Sequence, residues 1–123
     1  MKTYQLKLCN IIIHDDFIEL KMFDGCHFNL KLLKEAFAIK EKHFGKDFVG
    51  VLVHRENLEV THSYDPSILL APFLNLNKIV KWVVVVTTHP NDIKNLKYVK
   101  HFTKIPCYQF TTYEEFVSFQ LQQ

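Results

Sequence analysis

Hydrophobic positions along this chain change period in a fixed succession. Two alternating runs come first, followed by helix, apolar run, helix, apolar run, helix, apolar run and a last short helix. That succession belongs to a βαβ protein, because parallel strands can be joined only by crossovers long enough to hold a helix. In the first run Tyr4, Leu6 and Leu8 alternate with polar neighbours, and Ile11 to Ile13 carry it on until His14-Asp15-Asp16 breaks it. This predicts one strand. In the second, Ile18, Leu20 and Met22 alternate with Glu19 and Lys21, giving an apolar and a polar face to a strand hairpinned to the first.

Helix signals follow. Asn29 stands at an N-cap ahead of a stripe of Leu32, Leu33, Ala36, Phe37 and Phe44, and Gly45 supplies the stop. Phe48 to Val53 and Trp82 to Val86 are continuous apolar runs, which predicts strands covered on both faces, the second at the sheet centre. Between them Asp65 and Pro66 mark a helix start, and Pro72 bends or shortens that helix. A third helix begins near Asn91 or Asp92, with Leu96, Val99 and Phe102 on one side and Lys94, Lys97, His101 and Lys104 on another. Tyr108 and Phe110 lie on a last strand, and Thr112 with Glu115 forms a capping box for the closing helix. The expected architecture is α/β: a mixed, mostly parallel sheet with an N-terminal hairpin and flanking helices, in the order ββαβαβαβα.

The 123 residues suit one domain over 1–123, large enough to bury a core without staples. Three cysteines, Cys9, Cys26 and Cys107, match no ligand spacing, and no run of about 20 apolar residues or signal peptide is present. A cytoplasmic location and no transmembrane segment are expected. The net charge of +2 is small, although six lysines from Lys78 to Lys104 face Asp92 alone. No stacking aromatics are interleaved with those lysines, so they read as a solvated face and not a nucleic-acid surface. The three glycines open no phosphate-binding helix, and the seven histidines show no paired ligand spacing, so neither cofactor nor metal is expected.

The stretch from Phe17 through Asn29-Leu30-Lys31-Leu32-Leu33-Lys34-Glu35-Ala36 to Gly45-Lys46-Asp47-Phe48 resembles the opening of small bacterial STAS-like proteins, related to anti-sigma-factor antagonists. His101 to Pro106, then Phe110-Thr111-Thr112-Tyr113-Glu114-Glu115-Phe116, resembles the closing segment of the same group, which is joined by name to CRAL-TRIO lipid-binding domains. The resemblance implies a non-enzymatic regulatory module binding a protein partner; the alternative is a small apolar ligand or lipid. It also brings Ser63 to the place of that family's phosphoacceptor, although His62 replaces the expected aspartate, Tyr64 the second hydroxyl residue and Asp65 the glycine. A regulated or partner-binding site is therefore expected around His54, Glu56, His62, Ser63 and Asp65, at the carboxyl edge where open α/β sheets place ligands. The apolar segment with Ile68, Leu69, Leu70 and Phe73 is expected to form a ligand surface or a homodimer contact, homodimer being favoured.

Overall fold

The computed structural model of the chain describes residues 2–55, 62–65 and 78–122. Their secondary structure is β1 (Lys2–Gln5), β2 (Cys9–Ile13), β3 (Phe17–Met22), β4 (Cys26–Phe28), α1 (Leu30–Phe44), β5 (Val49–Arg55), β6 (His62–Tyr64), β7 (Val80–Val86), α2 (Pro90–Phe102), β8 (Cys107–Phe110) and α3 (Tyr113–Leu121). Six strands form one sheet in the order β1-β2-β3-β5-β7-β8, antiparallel from β1 to β3 and parallel from β3 to β8. The short strands β4 and β6 pair in parallel as a separate two-stranded sheet. The class is thus α/β, with a mixed and mostly parallel main sheet.

Strand alternation assigns the two faces. Val49, Val51 and Val53 of β5 and Val83 and Val85 of β7 join Ile18, Leu20 and Met22 in a core that also takes Leu32, Leu33, Ala36 and Ile39 of α1 and Leu96 and Val99 of α2. Leu52, Trp82, Val84 and Phe17 point the other way and pack on Phe116 and Phe119 of α3. Both faces of β5 and β7 are covered, which is why their sequences read as continuous apolar runs. Gly50 belongs to the α3 face, where a Cβ would overlap the Trp82 indole.

Local chemistry sets the helix ends. The Asn29 side chain accepts from Leu32 N at 3.0 Å, and Gly45, at φ +58°, donates its N–H to Glu41 O. His89 caps α2 by accepting from Asn91 N, so this helix begins at Pro90, just before the expected start. Thr112 and Glu115 form the capping box of α3.

Three expectations are corrected. The first alternating run is two strands, because the backbone turns after Gln5, where Leu6 N donates to Cys9 O at 3.0 Å; a hairpin of two strands becomes a meander of three, with β2–β3 its second hairpin. Tyr4 and Leu6 still pack beside the cluster that holds Ile11, so the alternation continued through the turn and concealed it. Second, Cys26–Phe28 and His62–Tyr64 form strands that the order ββαβαβαβα did not include. Third, β7 is interior but not central: the middle of the sheet falls between β3 and β5. Continuous hydrophobicity reports two covered faces, not a strand's rank across the sheet.

Candidate functional site

At the carboxyl edge of the parallel strands, polar groups enter the core. Arg55 is the last residue of β5 and Asp92 lies in the first turn of α2; they are 7% and 4% exposed. Arg55 Nε donates to Asp92 Oδ2 at 2.7 Å and Nη2 to Oδ1 at 3.1 Å, a bidentate pair. Thr87 Oγ1 donates to the same Oδ2 at 2.7 Å and accepts from His89 N at 2.9 Å. Two fixed charges are tolerated here because each satisfies the other and the helix N-terminus favours an anion at Asp92. Together these bonds tie the ends of β5 and β7 to the start of α2.

Beside this network a cavity of about 380 Å³ opens between β5, β7 and α2. Val53, Val83, Val85, Leu96 and Val99 make its aliphatic wall, and Tyr64, Asp65, Asp92 and Asn95 also line it. Tyr98 and Phe102, about half exposed, line it from α2. Burial pushes the Tyr64 phenol up, and the charges of Asp92, Cys26 and Cys9 add to that against Arg55, so the phenol stays protonated. The chemistry offered is chiefly an apolar grip.

A second polar cluster lies on the α3 face. Glu19, 7% exposed, accepts from His14 Nε2 at 2.8 Å on one carboxylate oxygen and from His54 Nε2 on the other. Burial pushes the Glu19 carboxyl up, but hydrogen bonds from His54 and His14, then their charges, outweigh it and hold the group below the usual range. His14 stacks on Phe17 with ring centroids 4.2 Å apart. Among the described residues no three His, Cys, Asp or Glu side chains are placed to hold a metal ion.

The expected site residues disperse. His54 turns to the α3 face and Glu19, whereas Asp65 lines the cavity on the opposite face. Ser63 is exposed in β6, with its hydroxyl 2.7 Å from His27 Nδ1, a strand position and not the first turn of a helix. His62 pairs with Cys26 in the β4–β6 ladder. Glu56, and the helix expected from Pro66 with its Ile68, Leu69, Leu70 and Phe73, lie outside the described residues. Sequence reasoning missed Arg55, Thr87 and Asn95 as site components, and read Glu19 only as part of the polar face of a strand. A charged residue closing an apolar run, as Arg55 closes β5, was the available signal, since a lone charge there demands a buried partner.

No protein-family model matches the chain, no curated protein is similar to it and no solved structure resembles it.

Proposed function

We propose that the chain is a non-enzymatic binding module whose ligand is a small, largely apolar molecule held between β5, β7 and α2. The observation that carries this is the cavity of about 380 Å³, within the size range of small-molecule sites, with an aliphatic wall and Asp65 and Asn95 among its lining residues. Aliphatic walls grip a ligand but neither give nor take a proton, so binding is the activity they support. The three free, buried thiols suit a reducing compartment such as the cytoplasm. No helix among the described residues is long and apolar enough to cross a membrane.

The test is a cavity-filling substitution, Val99→Trp, compared with the native chain for binding of the apolar fluorophore anilinonaphthalene sulfonate. At least a tenfold loss of binding, with an unchanged far-ultraviolet spectrum, is expected. Equal enhancement by both proteins would remove the cavity as a ligand site.

A second reading keeps the STAS-like kinship and a protein partner. Ser63 favours it, because its hydroxyl is at the surface and hydrogen-bonded to His27, where a partner or a phosphate could reach it. On this reading the sheet edge near Ser63 binds a partner protein and the chain acts as a homodimer. Ser63→Asp would then change partner capture while leaving fluorophore binding intact.

A further inference from the structure

We propose that Cys9, Met22 and Cys26 form a binding site for Cu(I), a soft monovalent cation held by two thiolates and a thioether. Cys9 and Met22 are directly paired across β2 and β3, so their side chains stand next to each other on the α1/α2 face. Cys26 comes from β4, outside the main sheet, and its Sγ lies 3.8 Å from Met22 Sδ. All three residues are at most 1% exposed and belong to one cluster. One sulfur–sulfur contact is thus in place, Cys26 to Met22, with Cys9 opposite Met22 in the β2–β3 ladder and its Sγ 3.5 Å from Asn10 O.

The Cys26–Met22 sulfur separation suits a shared metal ion. Three ligands at about 2.3 Å from a central ion in a plane stand about 4 Å apart, close to the Cys26–Met22 separation. The ligand set is also selective, since thiolate and thioether suit Cu(I), while zinc in a closed site takes four ligands of nitrogen, thiolate or carboxylate type. Three ligands fit a cation that accepts low coordination. No electron transfer is required: the ion enters as Cu(I), two S–H bonds give their protons to solvent, and two Cu–S bonds and one thioether contact form. The bound site carries one net negative charge. Arg55, paired in register with Met22 from β5, lies on the same side, with its guanidinium held by Asp92.

Without the ion the thiols are inert. Burial, then the charge of Cys26, pushes Cys9 up to about 12, and burial raises Cys26 as well. Cys26 sits on β4, whose ladder with β6 has only three paired positions and so opens at lower cost than the six-stranded sheet. Neither this site nor its test depends on the apolar cavity.

The experiment is an anaerobic titration of the intact chain with Cu(I) in competition with bicinchoninate, alongside Cys26→Ser, Met22→Leu and Cys107→Ser. Cys107 is the third buried thiol, on β8, and serves as the control. One equivalent should transfer to the native chain and to Cys107→Ser; Met22→Leu, close in shape and able to keep the core, should bind about 10–100-fold more weakly, and Cys26→Ser should retain none. Copper-edge absorption of the native complex should show sulfur neighbours only. The proposal fails if the folded native chain takes no copper from the competitor, or if Met22→Leu and Cys26→Ser bind as the native chain does.

Discussion

Glu19 shows how a single residue can be read correctly for its element and wrongly for its surroundings. Alternation placed it on the strand face opposite Ile18 and Leu20, and it is there; α3 and the turn before β3 then cover that face. Asn29, Gly45 and the Thr112–Glu115 box were legible because each acts on backbone a few residues away. Glu19 and His54 are 35 residues apart, and Arg55 and Asp92 are 37, so nothing local announces either pair. Because the folded Glu19 carboxyl lies below its ordinary value near 4.5, its contribution to stability is present above that value and is lost as pH falls through the lower folded one. Glu19→Gln should therefore cost about 1.5–3 kcal/mol at pH 7, and the gap should close below pH 4.5. Urea unfolding midpoints of both proteins from pH 3 to 7 measure this; a constant gap would show that the carboxylate charge contributes nothing.

At the scale of elements, α3 is nine residues long, too short to persist in isolation, and holds its shape through one buried anchor and one cap. Phe116 is 1% exposed and meets Phe17 edge-on at 5.3 Å and Trp82 at 5.8 Å. Deleting that ring leaves a cavity under the helix, so Phe116→Ala should destabilise the chain by about 3–5 kcal/mol, against about 1 kcal/mol for Thr112→Ala at the cap. Chemical denaturation of the two variants checks the ranking, and equal losses would place the anchor elsewhere. The three helices among the described residues were legible from their periodicity, and the caps of α1 and α3 agreed with it. The strands were less so: β1 ran into β2 without a change of face, and β4 and β6 are three residues each, shorter than any alternation can register.

Across the whole molecule, protection should be uneven. The ladders β3–β5 and β5–β7 are buried on both sides, whereas β4–β6 pairs at three positions only. Native-state hydrogen exchange should find β4 and β6 opening well before β5, at a free energy well below that of global unfolding. Equal protection of β4 and β5 would show that the small sheet is a full part of the core. The parallel half of the sheet was legible because its crossovers demanded helices, while the carboxyl-edge network was not, because it is made only when two distant chain segments meet. The order β1-β2-β3-β5-β7-β8 has a further meaning for how the chain comes to be built. Each strand of the main sheet lies beside its predecessor in that sheet, so no strand has to be inserted between two that are already joined. On the ribosome every new strand meets a template laid down earlier, and the unsatisfied edge moves forward with synthesis to β8, while α3 then covers one face.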